Sequence, residues 1–265
     1  MDKSKLLDRV GALGDDRLVL AKILDRAEQA EGRNIPAATD FLSPQQQAAA
    51  LELLRLAGIG ESRYVCFGGY DGAERKLILF LPDWLEAEDA AEQSPIRCLR
   101  AVFREEDVLS HRDFLGSLMG LGIVREKVGD ILVSTGSADI VVLDSVAEFL
   151  RQSWDGAGRV KLSVKEIEPA HLHIPEVKCR EMRDTVSSLR LDALVSTGFQ
   201  MARGKAADLI AAGRVQLNWR ECTKPDKMMA AGDTVSARGF GKFELTEVGS
   251  ITRKGRISVV LKRYI

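Results

Sequence analysis

The middle third of the chain places short β-rich segments and helical segments in an order that few folds can accommodate. The runs IRCLRAVF, DILVSTG, DIVVLD and VKLSVKEIE predict strands, whereas HRDFLGSLMGLG and SVAEFLRQSW carry apolar residues at helical spacing. From Ile96 to Glu168 the order is therefore strand, helix, strand, strand, helix, strand. This order predicts one compact β-α-β-β-α-β domain.

The same order is found in ferredoxin-like domains and in RNA-recognition modules (RRMs), which bind RNA through aromatic side chains on two central strands. The candidate central strands here offer only Phe103 as an aromatic residue. A domain that uses another surface is therefore the preferred interpretation. RNA binding on the sheet face is the alternative.

The region before this domain is predicted to be helical, with one β-hairpin. KLLDRVGALGDDRLVLAKILDRAEQA has helical apolar spacing, and Ser43 precedes Pro44 as an N-cap followed by proline at the first helical position. Gly58 lies where that helix would end. RYVCFGG and KLILFLP flank an Asp-Gly turn and predict the hairpin. The predicted boundaries are 1–92 for this region and 93–170 for the RRM-like domain.

The last third is predicted to hold two short helices packed on a small sheet, as a domain over residues 183–250 with a terminal strand over 251–265. The apolar face of the first helix consists of Leu189, Leu191, Leu194 and Val195. Gly198 interrupts that helix, and a second one is predicted from Arg203 to Ala212, with Gly213 as its stop. VQLNW, TVSARGF and SVVLKRYI are predicted strands. The chain as a whole is predicted to be of the α+β class.

Charge is distributed unevenly along a nearly neutral chain, which has 38 basic and 39 acidic residues. From Arg183 onwards there are 15 basic and 8 acidic residues, whereas the part before it is acidic. A basic domain on an acidic body is typical of a protein in which one domain contacts a polyanion. Basic side chains near helix ends can bind phosphates together with backbone amides. The predicted RNA-binding residues are Arg190, Arg203, Lys205, Arg214, Lys224 and Lys227.

The stretch HRDFLGSLMGLGIVREKVGDI begins like the catalytic loop of protein kinases. That loop requires an Asn five residues after its Asp, and here Leu118 follows Asp113 at that distance. The kinase interpretation therefore fails. Two hypotheses for the basic residues of this stretch stay open: a second contact with RNA or the ribosome, or salt bridges with Glu105, Glu106 and Glu126. The basic residues concerned are His111, Arg112, Arg125 and Lys127.

The sequence predicts neither a metal site nor a cofactor. The four cysteines are scattered without a C-x-x-C pair, and the H-x-H at His171 and His173 has only Glu176 and Cys179 nearby as further candidate ligands. No apolar run reaches the roughly 18 residues that a membrane span needs. MDKSKLLDRV lacks the apolar stretch of a secretory signal. A cytoplasmic protein without membrane contact is expected.

The C-terminal segment resembles the S4 RNA-binding domain, an αL-type module found in translation factors and RNA-modifying enzymes. The matching residues are, in order, Arg190-Leu191-Asp192, Gly198, Arg203, Ala206, the run IAAGRV from Ile210, Asn218 and Gly232-Asp233. Members often have serines beside the second-helix arginine and a glycine after the asparagine; this chain has Ala202, Gly204 and Trp219. Packing is the preferred interpretation of Trp219, and stacking on a base is the alternative.

A longer resemblance extends over nearly the whole chain from about Thr39. HRDFLGSLMGLGIVREKVGDI, FGGYDGAERK, TDFLSPQQ and SSLRLD are similar to bacterial YlmH-type S4 proteins, which cyanobacteria and plastids carry as the photosystem II S4 domain protein. The resemblance implies a non-enzymatic protein that binds RNA on the large ribosomal subunit, with a role in the rescue of stalled subunits. Its expected partners are ribosomal RNA, tRNA and the large subunit, and a monomer is expected.

An S4-guided RNA-modifying enzyme is the alternative function. Pseudouridine synthases carry an R-L-D motif followed by x-x-Ser/Thr-x-Gly, but here Ser196 and Gly198 each fall one position too late. Asp192 is then expected to be a helix N-terminal carboxylate. A methyltransferase would need a glycine-rich turn from a strand into a helix. FGGYDG lies instead in the predicted hairpin, and we expect no enzyme activity.

Overall fold

The computed structural model describes residues 3–12, 14–176 and 179–264 of the chain. The chain divides between residues 175 and 176 into two compact units. Helices and antiparallel strands are mixed in both units, which confirms the predicted α+β class. The further division of the first unit at residue 93, and the S4 boundary at residue 183, stay predictions.

The first unit begins with the helices α1 (Lys3–Arg9), α2 (Gly14–Arg33) and α3 (Pro44–Ala57). The start of α3 is fixed by a capping box: the amide of Gln46 donates to Ser43 Oγ, and the Ser43 amide donates to Gln46 Oε1. Gly58 ends α3 in the left-handed conformation, with φ of 76°. Both helix boundaries confirm the predictions from Ser43, Pro44 and Gly58.

The predicted hairpin consists of β2 (Tyr64–Phe67) and β3 (Leu77–Phe80), which pair in antiparallel register. The two-residue strand β1 (Ala37–Ala38) pairs with the other side of β3. The sequence did not predict β1, because two alanines carry no strand pattern. The result is a three-stranded sheet in the order β1-β3-β2.

The β-α-β-β-α-β prediction for the middle of the chain is confirmed. Its elements are β4 (Ile96–Val102), α4 (His111–Gly120), β5 (Val128–Ser134), β6 (Ser137–Leu143), α5 (Asp144–Ser153) and β9 (Ser163–Ile167). A small hairpin of β7 (Gly156–Ala157) and β8 (Val160–Lys161) precedes β9. The four long strands form an antiparallel sheet in the order β5-β6-β4-β9.

Both faces of this four-stranded sheet are covered. On one face α4 and α5 form a core in which Phe114, Leu118 and Leu150 are fully buried. On the other face Cys98 and Val141 pack with side chains of the N-terminal three-stranded sheet, including Leu77 and Leu79. The sheet is thus the middle layer of the first unit.

The position of Phe103 contradicts the alternative of RNA stacking on this sheet. Phe103 is only 9% exposed and belongs to the helix-side core. Its ring centroid lies 5.8 Å from that of Phe114. Because the N-terminal sheet covers the opposite face, no stacking platform of the RNA-recognition type is available around Phe103.

The second unit has a six-stranded sheet with α6 (Leu191–Gly198) and α7 (Arg203–Ala211) as its helices. Its strands are β10 (Cys179–Val186), β11 (Val215–Leu217), β12 (Arg220–Glu221), β13 (Thr234–Ala237), β14 (Gly241–Ile251) and β15 (Ile257–Tyr264). They lie in the order β10-β15-β14-β13-β11-β12. The sequence did not predict β10, whose largely polar residues CREMRDTV lack the alternation of a half-buried strand.

No helix in the described ranges 3–12, 14–176 and 179–264 is long and apolar enough to cross a membrane.

Candidate nucleic-acid interface

Helix α6 packs closely on the sheet because a glycine stands where the two meet. A Cβ atom on Gly198 would lie 2.6 Å from Cδ1 and Cε1 of Phe243, which is fully buried. The core beneath the helices includes Leu194, Ile210 and Phe243. Packing at Gly198 thereby sets the path of the short connection from α6 to α7.

Asp192 joins the starts of α6 and α7 through two arginines. Arg203 Nε donates to Asp192 Oδ2 at 3.1 Å, and Arg203 Nη2 donates to Oδ1 at 3.0 Å. Arg190 contacts the same carboxylate through Nε and Nη2, each at 3.2 Å. The Asp192 side chain is 7% exposed, whereas those of Arg190 and Arg203 are 40% and 47% exposed. The group therefore presents two half-exposed guanidinium groups around one buried carboxylate.

The electrostatics of this group are dominated by the ion pairs. Burial by itself would raise the pKa of Asp192, but the hydrogen bonds from Arg203 and Arg190 outweigh it and lower that pKa. The hydrogen bond to Asp192 raises the pKa of Arg190 in turn. Two cations and one anion leave a net positive charge at this edge of the domain. Asp192 lies in the first turn of α6, as expected from the sequence.

The structure shows which helix start has amides available beside the predicted basic side chains. The amides of Leu191 and Asp192 at the start of α6 already donate to the carbonyls of Lys227 and Pro225. At α7 the N-cap is Ala202, which makes no side-chain capping hydrogen bond, and residues 202–205 are exposed. The start of α7 is therefore the helix end with accessible amides.

The predicted RNA-binding residues do not all lie together. Lys224 and Lys227 are exposed on the loop whose carbonyls contact the start of α6, next to Arg190. Lys205 points to the other side of α7, where its Nζ lies 5.7 Å from the ring centroid of Phe240. Arg214 follows the C-terminal end of α7. That end lies roughly 13 Å from the start of the helix, at 1.5 Å per residue.

The four predicted residues of the secondary contact have mixed environments. Lys127 Nζ forms an ion pair with Asp40 at 2.7 Å, rather than with one of the predicted glutamates. Arg125 Nη1 donates to the carbonyls of Val128 and Gly129 at 2.5 and 3.1 Å. Burial and the charge of Arg125 lower the pKa of His111. His111 and Arg112 are exposed at the start of α4.

Asp130, which the sequence did not single out, ties the hairpin loop to the middle sheet. Its Oδ2 accepts from the hydroxyl of Tyr70 at 2.8 Å and from the amide of Glu74 at 2.7 Å, and its Oδ1 accepts from the amide of Arg75 at 3.0 Å. Arg75 also donates to the carbonyls of Phe41 and Val128. Burial, followed by the charge of Arg125, lowers the pKa of Arg75 to about 10. The contacts of Asp130 connect segments more than 50 residues apart, so sequence spacing gave no signal for them.

Backbone atoms of the H-x-H segment are bound to a buried ion pair. The carbonyl of His171 accepts from Arg100 Nη2 at 2.6 Å, and the amide of His173 donates to Asp139 Oδ2 at 2.7 Å. In the part of the chain that the structure describes, no group of three or more His, Cys, Asp or Glu could hold a metal ion.

Two helices on an antiparallel sheet, with basic side chains around the helix starts, define the class of S4-domain proteins. The S4 domain model matches residues 189–235. Two further models match the first unit: "YlmH, N-terminal" over residues 15–83 and "Putative RNA-binding domain in YlmH" over residues 105–171. A curated relative from Bacillus subtilis (strain 168), "Ribosome-associated protein quality control protein P2", is 34% identical over 226 residues, which are 85% of this chain and 86% of the relative. The chain belongs to the YlmH family.

A solved structure, "Cell division protein ylmH from Streptococcus pneumoniae", is 22% identical and covers 59% of this chain and 93% of its own. The TM-score of that match is 0.48.

Proposed function

We propose that this protein binds RNA on the ribosome through its second unit and catalyses no reaction. The observation that carries the proposal is the pair of half-exposed arginines held around Asp192, beside the exposed Lys224 and Lys227. Fixed guanidinium groups and flexible lysines together suit a phosphate backbone. The matches to an S4 domain and to a putative RNA-binding domain, and the name of the Bacillus relative, support the same function.

Within this surface the lysines and the two arginines have different roles. All three side-chain nitrogens of Arg203 make hydrogen bonds, two to Asp192 and one to Ser187 Oγ at 3.3 Å. Arg203 therefore contributes positive charge from a fixed position. Among the described residues, no ion pair involves Lys224, Lys227 or Arg214. These side chains can therefore contact a phosphate without first breaking an ion pair.

The proposed partners are large-subunit ribosomal RNA and a tRNA bound there, in the rescue of stalled subunits. The support is the description of the relative as a ribosome-associated quality control protein. We further propose a cytoplasmic monomer. His111 and Arg112 are a proposed secondary contact, whereas Arg125 and Lys127 hold the structure of the first unit together.

No contact among the described residues specifically supports the alternative function, an S4-guided RNA-modifying enzyme. Asp192 would be its candidate nucleophile, but two arginines occupy both carboxylate oxygens. RNA treated with the protein and S-adenosylmethionine, or with the protein alone, is expected to keep its mass and its uridines.

The function is tested by co-sedimentation of the full chain with purified large ribosomal subunits over a range of salt concentrations. With four to six phosphate contacts, the log-log slope of affinity against salt is expected to be roughly −3 to −5. Lys224→Ala with Lys227→Ala should make that slope shallower by about 1.4–1.8, at about 0.7–0.9 per contact. Lys5→Ala with Lys22→Ala, at exposed positions of α1 and α2 outside residues 105–171 and 189–235, is the matched control. Wild-type binding that is insensitive to salt would contradict the proposal.

A further inference from the structure

The turn between β11 and β12 has an unusual composition for its backbone conformation. Leu217 pairs with Arg220, so Asn218 and Trp219 form a two-residue hairpin loop. Both have positive φ, 49° for Asn218 and 59° for Trp219. Two-residue loops of this kind favour Asn followed by Gly, because glycine adopts a positive φ without steric cost. A bulky aromatic residue at the second position is a backbone outlier.

Asn218 forces this conformation on the turn. Its amide donates to the carbonyl of Thr234 at 2.8 Å, its Nδ2 donates to Asp233 Oδ1 at 2.7 Å, and its Oδ1 accepts from the amide of Thr234 at 2.9 Å. Asp233 is fixed in turn, since its Oδ2 accepts from the amide of Ala230 at 2.7 Å. These hydrogen bonds fix the backbone of the hairpin tip, and with it the point from which the Trp219 side chain projects.

The indole ring of Trp219 lies outside the hydrophobic core of the second unit. Trp219 is half-buried, yet it belongs neither to the hydrophobic core of the second unit nor to the partly buried residues packed against that core. Within the ranges that the structure describes, its ring makes no aromatic or cation contact and its Nε1 no hydrogen bond. Packing of Trp219, the interpretation preferred from the sequence, does not involve this core and stays a prediction.

We propose that Trp219 is a base-stacking residue, which takes an unpaired RNA nucleotide next to the phosphate contacts of the second unit. The proposal rests on the proposed RNA-binding function and names the chemistry of one further subsite. Strained residues that their surroundings fix in place are concentrated at ligand sites. Stacking on an aromatic ring accepts any base, because every base has a π face.

A fixed backbone at the hairpin tip favours stacking on the Trp219 ring. A ring whose backbone is fixed by Asn218 loses little conformational freedom when a base stacks on it. The carboxylate of Asp233 accepts hydrogen bonds from Asn218 Nδ2 and from the amide of Ala230. These hydrogen bonds reduce the repulsion between the carboxylate and a nearby phosphate. The occupant is thus a single-stranded or looped nucleotide whose neighbours contact the basic residues.

The experiment compares wild type, Trp219→Gly and Trp219→Phe on two labelled probes: an RNA stem-loop with a short single-stranded tail, and the same stem-loop without the tail. Trp219→Gly should unfold at a temperature at least as high as the wild type, because glycine relieves the strain. It should bind the tailed probe about tenfold more weakly, the size of one lost stack, with an unchanged salt slope. Trp219→Phe should lose less.

The outcomes separate this inference from the proposed function. A wild type that binds neither probe and no large subunits would overturn both. Salt-dependent wild-type binding, combined with equal affinities of Trp219→Gly and wild type for the tailed probe, would overturn only the stacking role. A lower unfolding temperature of Trp219→Gly, with affinity lost equally for both probes, would show that the ring is a packing residue. Trp84→Leu, at an exposed tryptophan of the first unit outside residues 105–171, is the control for loss of a surface aromatic group.

Discussion

Arg203 and Asp192 form a bidentate ion pair that connects the first turns of α6 and α7, with N–O distances of 3.0 and 3.1 Å. Arg190 binds the same carboxylate from the other side. A residue that a sequence motif would suggest as a nucleophile is thus the anchor of two cations. The proposed phosphate contacts and the stability of the second unit consequently depend on the same group.

Replacement of the anchor should weaken the fold. Asp192→Asn leaves Arg190 and Arg203 close together without the compensating charge. Because both guanidinium groups are about half exposed, we expect a loss of about 1–2 kcal/mol in the free energy of unfolding, less than for a fully buried pair. Urea denaturation followed by circular dichroism measures it. Asp208→Asn, at an exposed position of α7, should change the free energy by less than about 0.5 kcal/mol.

The same pair should make stability depend on acid pH. The pKa of Asp192 in the folded state lies below its ordinary value of 3.8, so its ionised form stabilises the fold. This contribution is complete above that ordinary value and disappears as the pH falls through the lowered folded pKa. The difference in stability between wild type and Asp192→Asn should therefore be constant near neutral pH and shrink below about pH 4. A difference that grows in acid would show that the carboxylate is not held by the arginines.

The close approach at Gly198 should tolerate no side chain. Gly198→Ala would place a methyl group 2.6 Å from the buried ring of Phe243, and we expect a loss of about 1–3 kcal/mol in unfolding free energy. Gly204→Ala is the matched control in α7, because no atom lies within 4 Å of its Cβ position. It should instead gain up to about 1 kcal/mol from helix propensity. Equal effects of the two substitutions in denaturant titrations would rule out the steric explanation.

The buried pair in the first unit should be far more sensitive than a surface pair. Arg100 donates to both oxygens of Asp139 at 2.6 and 2.7 Å, and the Asp139 side chain is 1% exposed. Arg100→Met leaves that carboxylate buried with the amide of His173 as its one remaining hydrogen-bond donor among the described residues, so we expect a loss of about 3–5 kcal/mol. Arg151→Met breaks the exposed pair with Glu148 and should change the stability far less, because solvent screens that pair. Equal shifts of the thermal unfolding temperature for Arg100→Met and Arg151→Met would contradict the expectation that the buried pair contributes more stability.

The cysteines should react with alkylating reagents in an order set by burial. Burial, helped by the charge of Asp139, raises the pKa of Cys98 to about 12, and its side chain lies between the two sheets of the first unit. Cys179 is exposed on β10. Iodoacetamide at about pH 8 should label Cys179 in the native protein and Cys98 only after denaturation, because the thiolate is the reactive form. Mass spectrometry of peptides from native and urea-treated protein reads both sites, and native labelling of Cys98 would contradict the sheet-on-sheet packing.

Local sequence signals predicted most elements of the fold. Ser43, Pro44 and Gly58 predicted the ends of α3, and Gly213 predicted the end of α7, because caps and stops depend on neighbouring residues only. The β-α-β-β-α-β order followed from the spacing of apolar residues. The short strand β1 and the polar strand β10 were missed, since their pairing with β3 and β15 stabilises them rather than their own pattern.

The candidate site divides in the same way. The sequence by itself determined the S4 character, the basic second unit and the identity of Arg190, Arg203 and the lysines as candidate ligands. Only the tertiary structure decided that Asp192 holds both arginines, that the loop at Lys227 occupies the amides of α6, and that the N-terminal sheet covers the middle sheet. The physical reason is that ion pairs, strand pairing and sheet packing join residues far apart in the chain, where spacing and composition carry no information about contact.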